Sequence, residues 1–247
     1  MGLPRIAVPE YSLKLPSDGT ELKYRPFLVK EEKILLMAME SEDEKEIINA
    51  TKNVINNCVF GTYDLDRMAI FDIEYIFLWL RAKAKGEEVE LKYTCPKCQG
   101  TIPLHLNIED VNVQKQNGHT TKIELTDELG VVMTYPNLTL QVRMDNMKEA
   151  SDIDKVFQSV LWCIDYIYDK DKTYSNKDHT EKEMYDFLES LTDDQFQKLS
   201  KFFETMPKLK HEVVLECKSK VKGEGKNKKT CGYKEDLVLE GLQSFFA

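Results

Sequence analysis

Tyr93-Thr94-Cys95-Pro96-Lys97-Cys98-Gln99-Gly100 carries two cysteines separated by two residues. A turn of that length points both sulfurs the same way, so two thiolates can share one ion, and Gly100 suits the tight turn that follows. A zinc ion held by thiolates takes four ligands in tetrahedral geometry, so a second pair must come from elsewhere in the chain. Cys217 and Cys231 supply it, in Glu216-Cys217-Lys218 and Thr230-Cys231-Gly232-Tyr233.

The flanks support this pairing. Glu88-Val89-Glu90-Leu91-Lys92-Tyr93 alternates polar and apolar residues before Cys95, and Thr101-Ile102-Pro103-Leu104-His105-Leu106 follows Cys98. Val213-Val214-Leu215 precedes Cys217 and Leu237-Val238-Leu239 follows Cys231. Each pair therefore lies at the tip of a strand–turn–strand pattern, and two such tips facing each other make a zinc ribbon. Two departures from the usual ribbon stand out. Thirteen residues separate Cys217 from Cys231, and 118 separate Cys98 from Cys217. Closing a loop costs only the logarithm of its length, which makes both tolerable. Three readings follow: a structural four-cysteine zinc site at Cys95, Cys98, Cys217 and Cys231, four unliganded thiols, or a redox C-x-x-C. No helix pattern follows Cys95, as a thioredoxin-like motif would require, and zinc is the reading adopted. Four thiolates would close the site and leave no open position for catalysis. The remaining two, Cys58 and Cys163, sit in apolar helical patterns and read as small core residues.

The chain of 247 residues carries 34 basic and 43 acidic side chains, a formal charge of −9, with 42% hydrophobic residues. This is a globular composition, and its acidity argues against a surface built wholly to hold nucleic acid. The densest apolar run, Tyr75 to Leu80, is six residues long and ends at Arg81; a spanning helix needs about 20. The opening residues lack the apolar stretch of a signal peptide, and Ile6 stands where a myristoylation motif needs Ser or Thr. The expected compartment is a reducing cytoplasm, where cysteines seldom pair as disulfides.

The expected fold is α+β: a helical core with antiparallel β-hairpins and a zinc-ribbon-like module of four cysteines. Residues 1–30 read as β and loop, with a hairpin turning at Ser17-Asp18-Gly19-Thr20. Residues 31–86 form a first helical block. Within it Ser41-Glu42-Asp43-Glu44 predicts a capping box with Ser41 as N-cap, and Asp64 or Asp66 begins a third helix, apolar nearly all round. Residues 87–143 return to strands: the first knuckle, a turn at Asn117-Gly118, a hairpin over 122–135, and the alternating Asn137-Leu138-Thr139-Leu140-Gln141-Val142. Residues 144–207 form a second helical block, with an apolar stripe from Ile153 to Ile164, a polar loop from Asp169 to His179, and a capping box at Thr192-Asp193-Asp194-Gln195. Residues 208–247 hold the second knuckle and a C-terminal tail. The ribbon is complete only when both blocks have folded, so the five segments read as one interwoven unit.

Catalytic signatures are lacking: there is no nucleophile elbow, P-loop, dinucleotide fingerprint or H-E-x-x-H zinc motif. His119 and His179 fall in polar loops and read as solvated, and His211 lies near Cys217 where four cysteines already suffice. Neither an enzyme nor a small-molecule substrate is expected. The insert from Lys218 to Thr230 has six lysines and two glycines. It reads as a mobile loop whose Lys218, Lys220, Lys222, Lys226, Lys228 and Lys229 can meet an acidic partner or phosphates. It has no aromatic residue for base stacking. Phe245 and Phe246 near the C-terminus either pack on the core or contact a partner.

Several strings resemble a baseplate family of T-even-type contractile-tailed phages: Met1-Gly2-Leu3-Pro4-Arg5-Ile6-Ala7-Val8-Pro9-Glu10-Tyr11, Lys23-Tyr24-Arg25-Pro26-Phe27-Leu28-Val29-Lys30-Glu31-Glu32-Lys33, Asn49-Ala50-Thr51-Lys52, Asp72-Ile73-Glu74-Tyr75-Ile76-Phe77 and Leu129-Gly130-Val131-Val132-Met133. That family comprises baseplate hub subunits and hub assembly factors. The resemblance implies a non-enzymatic tail protein, a hub component or a hub assembly chaperone. Its partners would be other hub and tail proteins, and its place the host cytoplasm during assembly or the virion baseplate. The competing reading from the residues is a zinc-ribbon factor associated with nucleic acid through the Lys218–Lys229 loop.

Overall fold

The computed structural model describes residues 6–41, 43–147, 149–222, 228–241 and 244. In chain order the elements are β1 (Tyr11–Lys14), β2 (Glu21–Tyr24), α1 (Val29–Ser41), α2 (Glu44–Cys58), β3 (Val59–Phe60), α3 (Ile70–Lys85), β4 (Glu88–Thr94), β5 (Thr101–Asn107) and β6 (Asn112–Gln114). They continue with β7 (Lys122–Glu124), β8 (Gly130–Met133), α4 (Leu138–Asn146), α5 (Asp152–Cys163), β9 (Ile164–Tyr168), β10 (Thr173–Ser175), α6 (Glu181–Glu189) and α7 (Asp193–Thr205). Last come β11 (Lys208–Glu216), β12 (Lys220–Lys222), β13 (Lys228–Thr230) and β14 (Lys234–Glu240). All strand pairings are antiparallel, and the fold is α+β as expected. No helix among the described residues is long and apolar enough to cross a membrane.

Contacts group the chain into two compact units: Met1–Tyr63, Phe71–Gln114 and Lys208–Ala247 form the first, and Asp64–Ile70 with Lys115–Pro207 the second. The acidity is unevenly shared between them. The second unit has 20 acidic against 12 basic side chains, a formal −8, whereas the first has 23 against 22.

In the first unit Leu78 and Ala82 of α3 pack with Val89 and Leu91 of β4, Leu106 of β5, Leu209 of β11 and Leu239 of β14. α3 is apolar nearly all round because it lies inside this core, where Ile76, Leu78 and Leu80 are fully buried. It begins at Ile70; Asp64 heads a preceding turn in which its backbone oxygen accepts from Arg67 and Met68. Two buried carboxylates anchor the N-terminal hairpin and the helices after it. Glu31 accepts from the Arg25 guanidinium at 2.9 Å and from the Leu28 N–H at 2.9 Å. The same guanidinium donates to the backbone oxygens of Pro26 and Asn57, so β2, α1 and α2 meet at one ion pair. Asp72, in the first turn of α3, accepts the Ser17 N–H at 3.1 Å, and it is 1% exposed.

In the second unit a four-stranded sheet of order β10-β9-β8-β7 carries Val131, Met133, Ile164 and Ile167 against Val160 and Leu161 of α5, Met184 and Leu188 of α6 and Leu199 and Phe202 of α7. The Thr192 capping box is present, with its side chain accepting from the Gln195 N–H and the Gln195 side chain bonding back to the cap. Cys58 and Cys163 are core residues, 0% and 1% exposed, and burial pushes their thiols up to about 11 and about 12.

Five local expectations need correction. Ser41 does not cap α2; its hydroxyl donates to the Ala38 oxygen, closing α1, and Asp43 caps α2 by accepting from the Lys45 and Glu46 N–H groups. Asn137-Leu138-Thr139-Leu140-Gln141-Val142 is the start of helix α4, because the Asn137 side chain accepts from the Leu140 N–H at 3.0 Å and caps it. Ile164 leaves the helical stripe to open β9, and part of the expected polar loop is the paired strand β10. The lysine insert reads as all loop in sequence, but among its described residues Lys220, Val221 and Lys222 pair Thr230, Lys229 and Lys228 in a short ladder.

Burial at Asp72 opposes its charged form and raises its carboxyl to about 6 from an ordinary 3.8. An acid raised on folding favours the native state when protonated, so this contribution is full below about pH 4 and is lost as pH rises towards 6. Asp72→Asn keeps the acceptor for Ser17 and removes the buried charge. Thermal unfolding should show the variant equal to the parent near pH 4 and more stable at pH 7, by up to about 3 kcal/mol for a shift of about two units. A variant equally or less stable at pH 7 contradicts this.

Candidate metal centre

The β4–β5 ladder pairs Glu88 with Asn107 through Thr94 with Thr101, leaving Cys95 to Gly100 as the connecting turn. Inside it the Cys95 N–H donates to the Gly100 oxygen and the Gln99 N–H to the Cys95 oxygen, both at 2.8 Å. Gln99 takes the left-handed conformation, φ 59°, that turns the chain back into β5. The β11–β14 ladder pairs Lys210 with Glu240 through Glu216 with Lys234. Beyond its end the Cys217 N–H donates to the Tyr233 oxygen at 2.8 Å, the Gly232 N–H to the Cys217 oxygen at 3.1 Å and the Cys231 N–H to the Ser219 oxygen at 2.9 Å. These three bonds hold Cys217 beside Cys231 although thirteen residues part them. The insert leaves from this second turn as β12 and β13, so its length does not disturb the cysteines.

The two turns meet. The Sγ atoms of Cys95 and Cys231 are 3.8 Å apart, those of Cys98 and Cys217 3.5 Å, and all four lie within 4.8 Å of one another. A tetrahedron of sulfurs at about 2.3 Å from a central zinc has edges of about 3.8 Å. The donor set therefore fits a thiophilic ion. Cys95 and Cys217 are fully buried, Cys231 is 8% exposed, and Cys98 lies partly open. Ile102 and Leu215 pack against the cluster and exclude water from its inner side.

The thiols do not behave alike. Ser219 draws the Cys217 thiol down to about 7 through its side-chain and backbone hydrogen bonds. The Gly100 N–H also draws Cys98 down, but burial and the neighbouring cysteines outweigh it and raise that thiol to about 12.

Sequence reasoning brought the four cysteines together correctly and missed Ser219. It also gave Gly100 too small a role. A Cβ there would lie 2.3 Å from the Ser219 Oγ and 3.2 Å from the Cys98 Sγ, so glycine permits the two turns to approach. The small residue after each knuckle was the available signal.

The other candidate residues are placed as follows. Lys218, Lys220 and Lys229 are exposed beside the second turn. Lys222 and Lys228 are backbone partners in the β12–β13 ladder. Lys226, Phe245 and Phe246 lie outside the described residues. His211 sits in β11 opposite Leu239, away from the sulfur group. His119 is not a solvated loop residue: its ring bonds Thr205 Oγ1 at 3.0 Å and Tyr135 OH at 3.2 Å and lies 5.1 Å from the Phe202 ring. Burial, with the charge of Lys115, lowers its pKa.

Residues 8–247 match a family model described as T4 bacteriophage base plate protein. No curated protein and no solved structure matches the chain. The match takes in both knuckles, both helical blocks and the intervening sheet, and so the chain belongs to the T4 bacteriophage base plate protein family.

Proposed function

We propose that this base plate protein serves the central hub of the phage tail, as a structural component or as a hub assembly chaperone, working by protein–protein contacts without catalysis. The observation that supports this most directly is the closed sulfur cluster. Four thiolates fill a tetrahedral coordination shell and leave no position for a substrate, which is the arrangement of a structural site. Cys95, Cys98, Cys217 and Cys231 would hold one zinc ion, which supplies a charge-neutralising link between the β4–β5 and β11–β14 hairpins. The five sequence segments then read as one interwoven folding unit, since the first compact unit closes only after the chain has run through the second. Lys218, Lys220, Lys222, Lys226, Lys228 and Lys229, with Phe245 and Phe246, are proposed to contact other hub or tail proteins, in the host cytoplasm during assembly or, for a structural component, in the virion baseplate. The basic insert also supports the second reading, a zinc-ribbon contact to nucleic acid.

Protein purified under reducing conditions should carry about one zinc per chain by metal analysis, and Cys217→Ser should carry far less. Saturating zinc at a thousandfold excess over its Kd contributes about 4 kcal/mol, roughly 10 °C in a chain of this size, so a strong chelator should lower the unfolding midpoint by that order. Metal-free parent protein would sink the proposal.

The partner reading is tested by replacing Lys218, Lys220 and Lys229 together with Gln. Infectious-particle yield should fall at least tenfold while the thermal midpoint stays within about 1 °C, as expected for exposed side chains. Unchanged yield removes the lysines from assembly. Salt-sensitive retention of the parent, but not the variant, on DNA or RNA would favour the nucleic-acid reading. Comparing purified virions with infected-cell lysate separates component from chaperone.

A further inference from the structure

Helices α5, α6 and α7 of the second unit border an open groove of about 1020 Å³. Its floor is apolar. Phe157 of α5 stacks on Phe196 of α7 at 4.3 Å between ring centroids, and Tyr185 of α6 lies 6.1 Å from Phe157. Ile153 and Val156, one turn before and beside Phe157 on α5, are 72% and 47% exposed. Apolar side chains of this size at i, i+3 and i+4 on one helix side normally seek cover. The rim is acidic: Asp152, Asp154, Glu189 and Asp193 line it, and no Lys, Arg or His does. Glu189 and Asp193 have no ion pair among the described residues. The whole unit carries most of the protein's negative charge.

These features select one kind of occupant. The lining residues come from helices and their connections and offer no strand edge, so an extended peptide would bring backbone N–H and C=O groups with nothing to pair them. A helix satisfies its own backbone and can present an apolar stripe to the floor. The acidic rim then requires basic residues flanking that stripe. We propose that the α5–α6–α7 groove is a docking site for a basic amphipathic helix of a partner protein. It belongs to a different unit from the basic insert beside the cysteines and carries the opposite sign. It does not depend on zinc.

The probe is a synthetic 16-residue helix with leucines on one face and lysines elsewhere, titrated into the full-length protein and followed by calorimetry. Two controls accompany it: a scrambled peptide of the same composition without an apolar face, and the same helix with glutamate in place of lysine. The Leu/Lys helix should bind at least tenfold more tightly than either. Ile153→Ser, at a position too exposed to threaten folding, should weaken it at least fivefold with an unchanged thermal midpoint. Glu189→Gln combined with Asp193→Asn should weaken it and flatten its salt dependence. Equal binding of the scrambled peptide would mean that charge alone attracts it, and full affinity in Ile153→Ser would place the contact elsewhere; either result overturns the proposal.

Discussion

The meeting of Cys95 and Cys98 with Cys217 and Cys231 is the constraint on which the first unit depends. Each pair is delivered by a seven-pair antiparallel ladder whose register sets where the turn falls. Slipping either ladder by one residue would turn every side chain to the opposite face, moving Ile102 or Leu215 out of the core and the cysteines away from each other. Bringing Cys98 to Cys217 closes a loop of 118 residues, which costs about 4 kcal/mol of chain entropy. Thiol–thiol contacts alone repay little of that. A zinc ion bound there at a thousandfold excess over its Kd would return about 4 kcal/mol, enough to offset that closure and favour this register. The β11–β14 and β6–β11 pairings would then follow from a fixed end instead of competing with slipped alternatives.

Two buried carboxylates illustrate how burial and partners compete elsewhere in that unit. At Glu31 burial opposes the charge, yet the Arg25 guanidinium, the Leu28 N–H and Lys30 overcome it and lower the pKa. At Asp72 the hydrogen bonding of Ser17 is too little, and burial wins. Both side chains are inaccessible, so the donors reaching the carboxylate decide the outcome. Glu31 holds three elements together as an ion; Asp72 is a local cost, carried by the dense apolar packing of α3 around it.

The sequence made legible those features that rest on short-range pattern. The alternation on either side of Cys95 reports β4 and β5 directly, and the stripe of α5 and the Thr192 box report helices whose signals are complete within a few residues. Where the reading failed, two local rules competed. Leu138-Thr139-Leu140 alternates like a strand, but one hydrogen bond from the Leu140 N–H to Asn137 commits the chain to a helix. Ser41 and Asp43 are both good caps, and Ser41 is taken up by the Ala38 oxygen. Ile164 prolongs an apolar stripe by one residue, and only pairing of β9 with β8 shows that the helix has ended. At the sulfur cluster the grouping of four cysteines was readable because the C-x-x-C spacing of Cys95 and Cys98 is itself geometric and the flanks of Cys217 and Cys231 read as strands. The need for Gly100 was not, since it arises from Ser219, more than a hundred residues later in the chain.

The division of charge gives the two units different chemistry towards partners. A single mixed surface would attract ligands of either sign weakly. Here the second unit carries a formal −8, and the exposed lysines beside the second cysteine turn belong to the nearly neutral first unit. Like charge on a shared face repels wrong partners as effectively as opposite charge attracts right ones. Exposed Ile153 and Val156 contribute little to the stability of the isolated chain, and leaving them uncovered invites non-specific association. The surrounding carboxylates restrain that association: an apolar surface with an acidic rim disfavours acidic proteins and favours a neighbour whose bases arrive with its apolar stripe. On the docking proposal, such a rim would keep the groove empty until the matching partner is present.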